Sequence, residues 1–259
     1  MALLELLEAS GRQGAALGQA EHRPWPAPSR PWLLGQTWSD LLFAHWRVPA
    51  EALRPLVPEP LELDSFDGST WLAISPFSIS DVRLRGTLPP PLLSSLLEVN
   101  VRTYVSVDGK PGIWFLSLDA SSPLAVQVGR RLYRLPYHRA RMRAAEAGGR
   151  IDYGSSRRGA HERPFVLEVR YRPAGEVFTA APGSLEHFLT ERYCLYSGNA
   201  SRLLRAEIHH PPWPLQRAEV EMELNTLAPD GLEPDPAGAL LHFAARQDVV
   251  VWAPERAGA

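Results

Sequence analysis

Residues 97–120 read LEVNVRTYVSVDGKPGIWFLSLDA. Two runs rich in β-branched and aromatic residues flank Asp108-Gly109-Lys110-Pro111, a cluster of turn formers, and this pattern predicts a β-hairpin. Along the first run, Val99, Val101, Thr103, Val105 and Val107 share one face, and Glu98, Asn100, Arg102, Tyr104 and Ser106 share the other. The valine face belongs to a core. The polar face belongs to solvent or, if the sheet closes on itself, to a cavity. Glu98 and Arg102 stand about 13 Å apart on an extended strand at roughly 3.3 Å per residue, so each needs a partner other than its neighbour.

The same grammar extends outward. Leu41–Val48 reads as a strand. Pro49 opens a helix, PAEALRPLV, with Glu51 near its positive end. LELDSFDGSTWLAIS reads as a hairpin around Asp67-Gly68, and 137–147 with 150–157 as another around Gly148-Gly149. SPLAVQVGRRLY is a helix capped by Ser121 or Ser122 and stopped by Pro136. VLEVRYRP, 203–210, 217–224 and 240–252 add strands, and SLEHFLTERY a short helix. Residues 1–20 predict an amphipathic helix. RPWPAPSRPW, with four prolines, predicts an extended segment wrapping the body and held by Trp25 and Trp32. The expected organisation is an N-terminal helix and Pro-rich arm over 1–34, then one β domain over 35–259. Many antiparallel strands with a few short helices indicate a mainly β (α+β) barrel or sandwich.

Composition narrows the function classes. A net charge of −2 gives no field favouring nucleic acid or an anionic membrane. The single cysteine, Cys194, excludes an internal disulfide and fits a reducing compartment. MALLELLEASG lacks a basic leader, and no apolar run reaches the length of a membrane span. The expectation is a cytoplasmic protein with no nucleic-acid or membrane partner. No GxGxxG, P-loop, GxSxG or HExxH occurs, so no cofactor and no metal is expected. His209-His210 point to opposite strand faces and chelate poorly, and Cys194 reads as a small buried residue.

GRRLYRLPYHRARM, residues 129–142, poses a sharper question. On the strand that follows Pro136, Tyr137, Arg139, Arg141 and Arg143 share one face, and His138, Ala140, Met142 and Ala144 the other. Guanidinium groups are too costly for a closed core, so the arginine face meets solvent or a second copy of the chain in a homo-oligomer. His138 then points inward with Met142. Most inward histidines are hydrogen-bonded core residues, and a minority mark sites.

Taken together, HRPWPAPSRPWLLGQTWSDLLFAHWRVP, ALRPLVPEPLELDSFDG, EVNVRTYVSVDGKPGIWFLSLDA, RLYRLPYHRARM, APGSLEHFLTERYCLY and EIHHPPWPLQ resemble the YqjF-like family of bacterial proteins (domain of unknown function 2071). The resemblance spans roughly residues 22–253. It implies the fold of the acetoacetate decarboxylase-like superfamily, a conical, largely antiparallel β-barrel with short helices and an internal cavity. Decarboxylases of that superfamily carry Phe-Pro-Lys-Lys after a helix, one lysine forming a Schiff base and its neighbour lowering that amine's pKa. The matching place here is Leu135-Pro136-Tyr137-His138, without either amine. The resemblance therefore implies a retained site with altered chemistry, and the ligand-binding candidates are Tyr137, His138, Glu98, Asn100 and Arg102.

Two functions are open on these residues. One is an enzyme acting on a small carbonyl or carboxylate compound, with His138 as general acid/base and Arg102 as anion holder. The other is a non-catalytic barrel that binds a ligand or only fills its cavity. Lys110, the only lysine, lies in a turn where its amine stays solvated. Borohydride reduction with acetylacetone is expected to leave Lys110 unmodified by mass spectrometry; a stoichiometric reduced adduct would restore the Schiff-base mechanism.

Overall fold

Two two-residue turns each set a pair of neighbouring strands. In the computed structural model, which describes residues 3–90, 95–158, 164–232 and 234–257, β4 (Leu96–Val107) and β5 (Lys110–Ala120) join through Asp108 and Gly109. Their φ angles are 51° and 71°. Positive φ at both central residues is the requirement of a tight right-twisting hairpin, and Asp-Gly meets it at low cost. The second strand thus begins at Lys110, and Lys110-Pro111 belongs to it rather than to the turn. Gly148-Gly149 joins β7 (Arg141–Ala147) to β8 (Arg150–Arg158) in the same way.

Asp67-Gly68 also turns with positive φ and closes a Phe66–Ser69 bridge. The expected hairpin does not form around it, however. β2 (Glu62–Leu63) pairs with β4 and not with β3 (Thr70–Leu84). Pairing of β3 with β4 ends at Leu72–Thr103. The remaining edge of β4 is open, and β2 takes it through Glu62–Ser106 and Leu63–Val105. The helices are shorter than their sequence patterns: Ala50–Leu53 (α2), Pro123–Leu132 (α3) and Leu185–Thr190 (α4). Ser122 caps α3 by accepting from the Ala125 N–H, and Ser184 caps α4.

Seven strands close into a ring in the order β1 (Leu34–Val48), β3, β4, β5, β10 (Cys194–Asn199), β11 (Arg202–His209) and β13 (Leu240–Val251). The ring closes where Ile208 meets Val251 and His209 meets Val250. Its one parallel joint sets Ile113 and Trp114 of β5 against Leu195 and Tyr196 of β10. From β13 the sheet runs on through β12 (Leu215–Asn225), β9 (Pro164–Phe178), β8 and β7. This extension covers the outer face of β1, β3 and β4, where Tyr153, Val169 and Tyr171 pack with Leu72, Ile74, Val99 and Val101. The valine face of β4 is therefore claimed outside the ring, and alternation sends Glu98, Asn100 and Arg102 inside it.

The N-terminal helix spans Leu3–Ala15 (α1). Its Gln13 accepts from Arg83 Nε at 2.6 Å and donates to the Asp81 carbonyl at 3.1 Å. The Pro-rich arm is held by Trp25, whose indole N–H donates to Glu207 at 2.8 Å, and by Trp32, packed on Val250 and Trp252. The ends of the expected arm and domain, residues 1–2 and 258–259, lie outside the described residues. Among the described residues no helix is long and apolar enough to cross a membrane.

Gly112 sits at the parallel joint. A Cβ there would lie 2.7 Å from Cys194 Sγ and 2.9 Å from the Cys194 carbonyl oxygen. Backbone does not yield as a side chain does, so Gly112→Ala is expected to lower stability by about 1–3 kcal/mol in urea unfolding. Gly148→Ala, in an open turn, serves as the strained but unclashed control; equal costs would show that the joint accommodates the methyl.

Candidate functional site

The ring encloses a cavity of about 610 Å³. Aromatic side chains of the wall, Phe43, Phe77, Phe115 and Trp213, make most of it apolar. α3 and the stretch around Arg83–Pro90 flank one end. There, lining residues Leu84, Leu88, Leu124 and Leu132 keep 42–53% of their surface exposed, which marks the mouth. The polar face of β4 supplies Glu98, Asn100 and Arg102, and β6 (Tyr137–Arg139) supplies Tyr137.

Glu98 and Tyr137 form a buried acid pair. The Tyr137 hydroxyl donates to Glu98 Oε2 at 2.7 Å. The carboxyl is 4% exposed, and burial pushes it up to about 7; the Tyr137 hydrogen bond, the Asn100 amide and the charge of Arg102 offset only part of that. Burial and the neighbouring carboxyl push the Tyr137 phenol well above its ordinary value, so it stays a donor. Gly129 of α3 makes the arrangement possible, because any Cβ there would collide with the Tyr137 ring. Pro136 orients the same segment: its carbonyl accepts from Leu118 N–H at 3.1 Å and starts β6 parallel to β5.

Arg102 is the unusual group. It is only 7% exposed, its Nε has no hydrogen-bond partner, and among the described residues it makes no ion pair. Its guanidinium carbon lies 5.3 Å from the Phe43 ring centre. Arg192, also at the wall, differs: it donates to Asp64 at 2.6 Å and to the Phe188 carbonyl at 2.6 Å. Behind Arg102, the Tyr104 hydroxyl meets His45 Nε2 at 2.8 Å, and burial together with the charge of Arg102 holds that imidazole neutral.

The structure brings together Tyr137, Glu98, Asn100 and Arg102 and leaves His138 out. His138 does not line the cavity; its face is opposite to that of Tyr137. The inward assignment assumed one strand through 137–143. The chain instead pairs Tyr137–Arg139 with β5, breaks at Ala140, and starts β7 against β8. Faces cannot be counted across that break. His138 is half-buried beside Arg157 and Arg130, and burial with those charges lowers it to about 4, so it is neutral at physiological pH. Arg139, Arg141 and Arg143 are exposed, as expected.

Residues that sequence reasoning missed also line the cavity: Tyr133, Trp213 and His210. The Tyr133 hydroxyl and Trp213 Nε1 are buried donors without partners. Trp213 follows a proline pair in a connection, and nothing in the local pattern directs it inward. His209 and His210 do point apart: His209 Nε2 contacts the Ala16 carbonyl at 2.9 Å while His210 faces the cavity. Cys194 is fully buried, and burial pushes its thiol up to about 12. Lys110 is outside the cavity, 4.0 Å from Glu207 and above the Trp25 ring.

Residues 35–248 match the model of domain of unknown function 2071, described as an uncharacterized conserved protein. The chain belongs to this family. It is 43% identical over 226 residues to the uncharacterized protein YqjF of Bacillus subtilis (strain 168), covering 87% of this chain and 93% of that protein. Two solved structures share its fold. One is the enduracididine biosynthesis enzyme MppR complexed with the condensation product of pyruvate and imidazole 4-carboxaldehyde, at 13% identity, TM-score 0.63, and coverage of 88% and 90%. The other is acetoacetate decarboxylase from Legionella pneumophila, at 12% identity, TM-score 0.62, and coverage of 94% and 95%. The mainly β, acetoacetate decarboxylase-like architecture implied by the family resemblance is thereby established. At these identities the likeness is one of fold.

The Glu98 carboxyl has an ordinary value of 4.5 and a folded value of about 7. Between those values the folded state keeps a proton that the unfolded state has released, so stability falls as pH rises through the window. Glu98→Gln removes that dependence. The melting-temperature difference, variant minus parent, should grow from pH about 4.5 to about 7 and then level off. Asp119, raised to about 6 by burial, acts in the same direction in both proteins and cancels. A difference that stays flat across the window would mean that Glu98 ionises as an exposed carboxyl does.

Proposed function

We propose that the ring cavity binds a small compound bearing a carboxylate and a carbonyl group, and that Glu98 transfers a proton to and from it. The observation that carries this reading is Arg102. A guanidinium with no ion pair, almost fully withdrawn from water, costs several kcal/mol. Such a cost fits a group waiting for an anion. The binding of a pyruvate-derived compound by MppR supports the same ligand class.

Glu98 suits the chemistry because its value of about 7 leaves comparable amounts of acid and carboxylate near neutrality. As carboxylate it takes a proton from the carbon beside the carbonyl. The electron pair moves onto the carbonyl oxygen, and the resulting enolate lies within the field of Arg102. As the acid, Glu98 returns the proton. Tyr137 holds Glu98 in position through the 2.7 Å hydrogen bond. No lysine is at hand for a Schiff base, because the chain's one lysine lies outside the cavity. The expectation of His138 as acid/base therefore passes to Glu98. A volume of about 610 Å³ left unfilled by side chains favours a ligand over a purely structural barrel.

Arg102→Met separates function from stability. Replacing the buried cation with a thioether of similar reach is expected to stabilise the free protein by about 1–4 kcal/mol, a few degrees or more in melting temperature. The same change should abolish the thermal shift produced by pyruvate or α-ketobutyrate. A destabilised variant that still responds to these acids would refute the anion-site reading.

A further inference from the structure

The cavity is much larger than a three-carbon acid needs. At about 30 Å³ per water-sized group, its 610 Å³ accommodates on the order of twenty non-hydrogen atoms. Three unpartnered polar atoms, Arg102 Nε, Asn100 Oδ1 and Trp213 Nε1, line the wall on the Phe43 side, and the Tyr133 hydroxyl is a fourth, set among Leu118 and Leu135. Arg83 and Arg192, the other cations of the wall, are engaged with Gln13 and Asp64. Phe77, Ile79, Leu96, Leu118 and Leu135 line other parts of the wall and offer nothing but apolar surface.

The mouth continues that surface. Leu124, Val128 and Leu132 recur every four residues on α3, so they form one stripe, and all three line the cavity. They remain 50%, 39% and 42% exposed, although the helix also offers Gln127, Arg130 and Arg131 for solvent. Leu84 and Leu88 add 53% and 42% exposed side chains from the other flank. An apolar stripe aimed into a cavity mouth, continuous with an apolar wall that leads to a buried cation with no ion pair among the described residues, describes a site for a molecule with a head and a tail.

We infer that the ligand is an amphiphile: a medium-chain α-keto acid. Its anionic head meets Arg102, and its hydrocarbon tail runs beneath α3 to Leu124, Val128 and Leu132. This deepens the proposed function and rests on Arg102 being the anion site. It adds the length and apolar character of the remainder of the molecule.

The test is calorimetric titration of the full chain with butanoate, octanoate and dodecanoate and with the matching α-keto acids. Affinity should rise about three- to fourfold per added methylene until the tail reaches the mouth. The paired change Leu124→Ser with Val128→Ser, on exposed positions that do not carry the fold, should weaken dodecanoate about tenfold and leave butanoate unchanged. Dodecanoate binding no tighter than butanoate, with both lost in Arg102→Met, would overturn the amphiphile and leave the anion site standing. Chain-length dependence that survives Arg102→Met would overturn the head-group assignment itself. Flotation with vesicles of phosphatidylcholine and phosphatidylglycerol, lost in the double serine variant and accompanied by flat chain-length dependence, would reassign the stripe to a lipid surface.

Discussion

Alternation along β4 is the constraint on which the site depends. Val99 and Val101 are buried in the layer between the ring and the β8–β9 extension. Burying each is worth about 1.5–3 kcal/mol. A slip of one residue would turn both valines into the cavity and force Glu98, Asn100 and Arg102 into that apolar layer. The sandwich core thus holds the polar triad inside the ring, and the energy that places the functional face is spent on the opposite one. Tyr153 reinforces the register from the covering sheet by donating to the Glu98 backbone carbonyl at 2.7 Å.

The two ionisable groups brought inside, Glu98 and Arg102, are treated differently. Glu98 gains a donor in Tyr137 and is partly neutralised by its raised pKa. Arg102 keeps its proton, since a guanidinium does not shed it, and is met by the Tyr104 hydroxyl and the Phe43 ring rather than by an ion pair among the described residues. In the function we propose, that asymmetry separates a proton-transfer group from an anion-binding group on a single strand. It also gives Leu135-Pro136-Tyr137-His138 a new meaning. There Tyr137 puts a phenol inside the ring, and His138 puts an imidazole outside it. Gly129 keeps the helix close enough for the phenol to reach the carboxyl.

Local chemistry was readable wherever it acts over a few residues. Asp108-Gly109 and Gly148-Gly149 name their hairpins because positive φ is a property of single residues. Ser122 and Ser184 announce their helices because a cap is made within three residues. The partner of Glu62–Leu63 was not readable, since it was decided by where the β3 pairing stops on β4. The direction of His138 failed for a related reason. Alternation is reliable only within one ladder, and the chain changes ladders at Ala140.

What the sequence by itself determined is most of the strand grammar, the two faces of β4 and the family. Each of these rests on spacing or identity along the chain. Tertiary structure alone decided that the polar face of β4 lines a cavity, because ring closure depends on Ile208 and His209 meeting Val251 and Val250 from distant segments. It alone joined Glu98 to Tyr137 across 39 residues and left Arg102 without an ion pair among the described residues. A partner, or the lack of one, is a fact about space, and spacing along a chain does not encode it.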